Sequence, residues 1–282
     1  MTTTLTGTAG SATSPMKAPT AGARARRKAT MWSDSLVVAK RNLIRMVRTP
    51  QLIFFNSVQP VMFVLLFRYV FGGAINTGGA YVNYLIPGIL VQTSLFGGAG
   101  TALGLSEDMS KGIVDRFRSL PMARSAVLTG RVVADVVRNL FVILLMIVVG
   151  VLVGFRFNNG FLPSIGAIAL LALFGMAFCW MFALIGLSVR DPESAQIASF
   201  LPVFPLTFAA STFVPLASMP TWLQAFARNQ PVSHAVNAVR SLTQGDLPGV
   251  HLANEVVLTL VWSAGIAVVF SLLAVRRYRR AS

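Results

Sequence analysis

Few residues in this 282-residue chain have the type and spacing to do chemistry, and the sharpest set is suited to ion pairing and not to bond making. Asp135 has Arg131 four residues before it and Arg138 three after, so all three share one helix face, where opposite charges stabilise each other. They read as a local ion-pair set that anchors a helix, with coupling to a partner as the alternative role. Arg68 stands alone in an apolar stretch and reads as a cation snorkelling to an interface. Cys179 is the single cysteine, which excludes an intramolecular disulfide and a cysteine-based metal site. His234 and His251, 17 residues apart, read as interfacial polar residues, so no metal is expected. The chain has no Gly-x-x-x-x-Gly-Lys-Ser/Thr loop to cradle a nucleotide phosphate, and neither His-Glu-x-x-His nor Gly-x-Ser-x-Gly to cleave a bond. Neither enzymatic activity nor a directly bound cofactor is expected.

The elements that must carry these residues are membrane helices. Crossing about 30 Å of hydrocarbon takes roughly 20 mostly apolar residues, and windows of that kind fall at about 52–71, 85–105, 132–154, 164–188, 196–217 and 255–275. The fourth is the cleanest, because the 33 residues from Phe157 through Val189 contain no Asp, Glu, Lys or Arg. With 55% hydrophobic residues and a positive mean hydropathy, six spans use nearly half the chain and leave no room for a second globular domain. The expected fold is an all-α integral membrane protein with one transmembrane domain over residues 31–282. Residues 1–30 are rich in Thr, Ala, Gly and Ser, end in Arg24, Arg26, Arg27 and Lys28, and lack an apolar core segment. They read as a disordered cytoplasmic arm and not as a cleaved signal peptide.

Charge gives the orientation. Nine Lys and Arg precede the first span, none lies in 72–84, five lie in 106–131, one in 155–163, one in 189–195, two in 218–254 and four follow Val275. One alternating set of gaps therefore holds 19 of the 24 basic residues, which places both termini on the cytoplasmic side of the membrane. The net charge of +15 is mainly this topology signal and not the footprint of a nucleic-acid partner. Carboxylates are as informative by their absence. An ion-coupled transporter needs an ionisable group near mid-membrane, kept there at roughly 2.5–3.5 kcal/mol, yet spans one, two, four and five have no Asp or Glu. An ion-coupled secondary transporter and a non-transporting scaffold are the rival classes, and energy is expected to come from elsewhere.

Local patterns refine the elements. Between Trp32 and Arg48, Trp32, Leu36, Ala39, Leu43, Met46 and Val47 recur at three- and four-residue steps, with Lys40, Arg41 and Arg45 largely elsewhere on the wheel. That pattern predicts an amphipathic interface helix, ended at Thr49-Pro50. Pro87, Gly88, Gly97, Gly98, Gly100 and Gly104 make the second span a close-packing helix. The fifth contains Pro202, Pro205 and Pro215, so a kinked helix is expected, beside a translocation path or as packing. In the long gap after it, Trp222 and Phe226 stand one turn apart and Pro231 opens a second helical pattern, predicting two short re-entrant outer helices between spans five and six.

The gap at 106–131 carries a second kind of pattern. Ile113, Val114, Phe117 and Leu120 lie on one side of a short helix, Asp115, Arg116 and Arg118 on the other, and Pro121 stops it. Its Glu107, Gly112, Arg116, Arg118 and Leu120-Pro121 resemble the segment between spans two and three of type-2 ABC exporter permeases, in particular the daunorubicin/doxorubicin-resistance branch. The outer segment with Pro220, Trp222, Leu223, Asn229, Pro231 and Arg240 resembles a second signature of that family. Lys111-Gly112-Ile113 departs from its more usual Arg-Gly-Thr. The resemblance implies a coupling helix at 106–131 docked, with the interface helix, on a separate ATP-binding ABC subunit, which would hold ATP and Mg. It also implies a second permease chain, as a homo- or heterodimer, and export of a hydrophobic drug, antibiotic or lipid; a permease for polysaccharide or another polymer is the alternative within the family.

Overall fold

The structure is a computed structural model and describes residues 50–73, 80–112, 124–189 and 191–280, with Ala39 and Ile44 besides. The expected arm at 1–30, the interface-helix residues Trp32, Leu36, Arg41 and Arg45, and the loop residues Asp115, Arg116, Phe117, Arg118, Leu120 and Pro121 lie outside the described residues. Among the described residues every regular element is a helix, and the only β contact is an isolated bridge between Leu247 and Val250.

In chain order the elements are α1 (Pro50–Leu66) with a π-helical turn (Phe67–Phe71), α2 (Tyr81–Gly97), α3 (Ala99–Ser110), α4 (Arg124–Leu152), α5 (Phe161–Ser188), α6 (Pro192–Phe208), a 3-10 turn (Leu216–Ser218), α7 (Thr221–Asn229), α8 (Pro231–Gln244) and α9 (Leu252–Arg280). Among the described residues four stretches are long and apolar enough to cross a membrane: Tyr81–Ser110, which joins α2 and α3, Leu128–Leu152, Phe161–Ser188 and Leu252–Tyr278. The chain is therefore a multi-pass membrane protein. The other two expected spans take shorter forms. Ser57–Phe71 is a shorter apolar helix, and α6 stops after 17 residues at Phe208, where Pro202 and Pro205 have already removed two backbone donors.

Helix ends follow from their residues. Asp191 caps α6: its carboxylate accepts from the Ser194 amide at 2.7 Å and the Ser194 hydroxyl at 2.9 Å, and Pro192 occupies the first turn. Those bonds favour the ionised form and hold the Asp191 carboxyl below its ordinary range. Pro231 opens α8 in the same way, and Gly245, at φ 96°, closes it.

α5 is the hub, touching α2, α3, α4, α6, α8 and α9. It carries no charge, and Phe174, Phe178 and Phe182 are fully buried on it. Gly186 brings the backbone of α3 close, since a Cβ there would stand 2.5 Å from the Ala102 carbonyl oxygen. α9 packs against α5 and leaves Val257, Val261, Val268 and Leu272 exposed, an apolar face suited to lipid tails. At one end of the bundle Leu105, Leu128, Leu187 and Tyr278 cluster where α3, α4, α5 and α9 meet. At the other end α8 lies against the start of α2.

Candidate functional site

The first half of the site is a polar seam between the long α2–α3 helix and α4. Arg131, Asp135, Arg138 and Asn139 are spaced to share one face of α4, and Gly97, Gly100 and Gly104 share the facing side of α2 and α3. The glycines make room for the polar groups. A Cβ at Gly100 would come 2.6 Å from Arg138 Nη2, one at Gly97 would overlap the Asn139 amide, and one at Gly104 would overlap Arg131 Nη2.

Within that seam Asp135 is the centre. Thr101 Oγ1 donates to Asp135 Oδ2 at 2.7 Å, Arg138 Nη1 pairs with Asp135 Oδ1 at 3.0 Å, and Arg131 Nε lies 3.6 Å from Asp135 Oδ2. Arg131 Nη1 also donates across to Asp108 Oδ2 on α3 at 2.5 Å. Two carboxylates and two guanidinium groups make the cluster neutral as a unit, the condition under which charges can be held among membrane helices. The ion-pair set read from Arg131, Asp135 and Arg138 is present, but it is not local to one helix: Thr101 and Asp108 tie it to α3. Spacing along α4 could not reveal those partners, because they lie 34 and 23 residues away.

The same seam contains a break. α2 ends at Gly97 and α3 begins at Ala99, and the backbone between them tightens: Gly98 N–H donates to Leu95 O at 3.1 Å and Thr101 N–H to Gly98 O at 2.8 Å. Two carbonyls beside the break take donors from α4. Asn139 Nδ2 donates to Ser94 O at 2.9 Å and Arg138 Nη2 to Gly97 O at 3.0 Å. Ser94 Oγ in turn donates to Leu171 O on α5 at 2.7 Å.

Beside the break lies a cavity of about 190 Å³ bounded by α1, α2, α3, α4 and α6. Phe63, Phe96 and Phe200 supply apolar wall, while Gln92, Thr93, Arg138 and Asn139 supply polar wall. Gln92 Oε1, Thr93 Oγ1 and Asn139 Oδ1 are buried with no hydrogen-bond partner among the described residues. The cavity is somewhat larger than the roughly 150 Å³ that hold one benzene in an engineered protein core. From Phe200 a file of rings at centroid separations of 5.7, 5.5, 5.3 and 4.4 Å runs through Phe204, Phe208 and Phe213 to Phe67 on the π-helical turn.

The second cluster is at the α8 end. Arg240, 4% exposed, has no carboxylate partner among the described residues; its Nε and Nη2 donate to Tyr84 O at 3.2 and 3.1 Å, and Nη2 donates to Ser211 O at 2.9 Å. Its guanidinium carbon lies 3.6 Å from the Tyr84 ring centroid, a cation–π contact. Burial pulls the Arg240 pKa below its ordinary value, and the Tyr84 side chain opposes that shift. Tyr84 OH donates to Ser211 O at 3.1 Å and Tyr81 OH to Phe213 O at 2.9 Å, so the segment after α6 is pinned to the start of α2. His234 Nδ1 and Glu255 Oε2 lie 2.7 Å apart, joining α8 to α9.

Of the residues singled out in the sequence, Glu107 lies on α3, where it pairs with Lys111 at 3.2 Å, and Gly112 follows at φ 64°. Pro220 precedes α7, Trp222 and Leu223 lie on it and Asn229 ends it. Trp222 is exposed on α7 together with Phe226, whereas Pro231 and Arg240 are buried on α8. Sequence reasoning missed Thr101, Asp108 and Asn139, and Tyr84 as the partner of Arg240. The sequence signals for the seam were the spacing of Arg131, Asp135 and Arg138 and the glycine spacing of the second span.

No group of three or more His, Cys, Asp or Glu among the described residues could hold a metal ion. The geometry is that of a polar seam and a cavity inside a helix bundle. Comparison with known proteins agrees with that character. Residues 35–243 match the ABC-2 type transporter family. The chain is 35% identical over 253 residues to the daunorubicin resistance ABC transporter permease protein DrrB1 of Streptomyces coeruleorubidus, covering 89% of this chain and 88% of that one. It is 29% identical over 252 residues to the probable doxorubicin resistance ABC transporter permease protein DrrC of Mycobacterium tuberculosis, covering 89% and 90%. It is 26% identical over 227 residues to the putative transport permease ycf38 of Pyropia yezoensis, covering 75% and 76%. A helix bundle with a polar seam and cavity, and a family match over most of its length, identify this chain as a member of the ABC-2 type transporter family, a membrane permease.

Proposed function

We propose that this permease is the transmembrane subunit of an exporter that moves a hydrophobic drug, antibiotic or lipid out of a bacterial cell, driven by a separate ATP-binding subunit. The names of two relatives, resistance permeases for daunorubicin and doxorubicin, support the cargo class. In this proposal residues 31–282 form six spans, with α1 and α6 as the first and fifth, both termini are cytoplasmic, and two permease chains assemble around the path. The ATP-binding subunit, which holds ATP and Mg, docks on the 106–131 segment and the interface helix at Trp32, Leu36, Arg41 and Arg45. α7 and α8 cap the outer leaflet, with Trp222 and Phe226 at the lipid interface.

The single observation that carries this assignment is the polar seam. Residues 113–123 are bracketed by α3 and α4, and those two helices are joined by Asp108 and Arg131, at the ends of the proposed docking segment, with Asp135 and Thr101 a few residues beyond it. A push on that segment therefore reaches the cavity through charged, hydrogen-bonded groups and not through sliding apolar surfaces. Both carboxylates of the seam are paired with arginines.

Inside-out vesicles with the permease and its ATP-binding subunit should accumulate a fluorescent anthracycline on addition of Mg-ATP and not on imposing a proton gradient alone. Gradient-driven accumulation without ATP would sink the assignment. Phe117→Asp with Leu120→Asp should abolish co-purification with the ATP-binding subunit, and unchanged capture would rule out 106–131 as the docking segment.

A further inference from the structure

Among the described residues that line the cavity, Arg138 carries the only charge; the other polar groups of the wall are neutral amides and one hydroxyl. Asp135, which pairs with Arg138 Nη1 at 3.0 Å, is 5% exposed and does not line the cavity. The ion pair therefore stands as a dipole with its positive end at the cavity wall. Its partners do not use up the guanidinium. Nη2 donates to Gly97 O at 3.0 Å and Nη1 pairs with Asp135, which leaves further N–H groups without an acceptor among the described residues. The Arg138 side chain remains 21% exposed. Those donors border a space whose apolar walls are the rings of Phe63, Phe96 and Phe200.

We infer that the cavity binds a neutral aromatic ring bearing a carbonyl group, with the ring against Phe63, Phe96 and Phe200 and the carbonyl oxygen accepting from the unused N–H groups of Arg138. This rests on the exporter function proposed above and names the part of the cargo that the path recognises. A volume of about 190 Å³ takes one substituted ring and not a whole drug-sized ligand, whose pockets run from about 300 to 1,000 Å³. The rest of a larger cargo lies beyond the rim, where Gln59 and Gln196 are exposed. Charge selects the class. A plain hydrocarbon leaves the Arg138 donors unmet, and an ammonium meets the positive end of the dipole. A carboxylate must shed its water to enter, while Asp135 behind Arg138 already offsets the attraction it would gain. A neutral carbonyl satisfies the donors without bringing a charge. Arg138 stays paired with Asp135 and Gly97 O throughout, so recognition requires no rearrangement of the seam.

Two matched probes test this on the purified full chain in lipid nanodiscs, without ATP or a partner. para-Fluoroacetophenone and para-fluoro-α-methylstyrene share ring and shape and differ in C=O against C=CH2. Fluorine NMR reads their binding, with the partitioning of each probe measured in empty discs. In Arg138→Met the ketone should bind about tenfold more weakly than to wild type, about 1.4 kcal/mol, and the alkene should change by less than about twofold. Asp135 retains Thr101 at 2.7 Å and Arg131 at 3.6 Å in that variant. Phe96→Leu should weaken both probes together, because it alters the ring wall alone. In wild type, para-fluorobenzylammonium and para-fluorobenzoate should both bind more weakly than the ketone. The carbon NMR signal of a labelled ketone carbonyl should move downfield on binding, because a guanidinium donor polarises the C=O bond.

An Arg138→Met variant that binds the ketone unchanged, or loses both probes equally, overturns the inference, as does tighter binding of either ion or an unshifted carbonyl signal. If Arg138→Met does not fold, the ion comparison and the carbonyl shift decide in wild type alone. Absence of ATP-driven efflux would refute the exporter function and leave these binding readouts standing. Intact efflux with no preference for the ketone would refute this inference alone.

Discussion

The contact between Arg131 and Asp108 offers the sharpest test of how the seam holds α3 to α4. Arg131 Nη1 donates to Asp108 Oδ2 at 2.5 Å, and each side chain is 13% exposed. A hydrogen bond between charged partners is worth about 1.5–3 kcal/mol net, and removing one partner of a fully buried pair costs about 3–5 kcal/mol. Partial exposure moves the expectation toward the lower figures. Asp108→Asn keeps the shape and removes the charge, and Arg131 retains Asp135 at 3.6 Å, so a loss of about 2 kcal/mol is expected. Arg131→Gln strips a cation from both carboxylates and should cost about 3 kcal/mol. The double variant should cost less than the sum, with a coupling energy of about 1.5 kcal/mol, equivalent to slightly more than tenfold in the unfolding constant. Reversible unfolding in mixed micelles, followed by the fluorescence of Trp180, reads this directly, because Trp180 packs on the cluster formed by Leu105 and Leu128 at the same end of the bundle. A coupling energy below about 0.5 kcal/mol, the scatter of independent sites, would refute the interhelical bond as the link between α3 and α4.

Other expectations follow from the same geometry. Gly186→Ala sets a Cβ 2.5 Å from Ala102 O and 2.9 Å from its Cα, backbone against backbone, and should lower stability by about 1–3 kcal/mol of overpacking despite the roughly 1 kcal/mol gained in helix propensity. Thermal unfolding in detergent checks it, and a stabilised variant would contradict the close α3–α5 approach. Tyr84→Phe removes only the hydroxyl bond to Ser211 O and should cost about 1 kcal/mol, whereas Arg240→Lys loses the two-armed grip on Tyr84 O and Ser211 O and should cost more, about 1–3 kcal/mol, with faster proteolysis between α6 and α8. The Asp191 cap should depend on pH with a defined sign. Its folded pKa lies below the ordinary carboxyl value, so its contribution is full above about pH 4 and is lost as pH falls through the depressed value. Amide exchange in the first turn of α6, compared with Asp191→Ala at each pH, should converge in acid, and a difference that grows in acid would contradict the cap.

The membrane class was legible in the chain because apolar length is a local property. Phe157 through Val189 need no partner to declare a span, and α5 occupies 161–188. Element ends are less legible. Arg131, read as the edge of a cytoplasmic gap, lies a full two turns inside α4, because Asp108 and Asp135 neutralise it there. The fifth span was read through to 217, but α6 ends at Phe208, where interior prolines and the Tyr84 and Tyr81 hydroxyls draw the next residues into a separate segment.

The sequence by itself determined that this is a multi-span helical membrane protein and that Arg131, Asp135 and Arg138 share a face, because hydropathy and helical periodicity depend only on neighbours along the chain. Tertiary structure alone decided which carbonyls and carboxylates those arginines meet. Gly97 O, which Arg138 meets, lies on α2, and Asp108, which Arg131 meets, lies on α3, at separations of 41 and 23 residues. Those partners meet because small residues let α2 and α3 press against α4, and because buried charges must find opposite charges or carbonyl oxygens wherever the packing brings them.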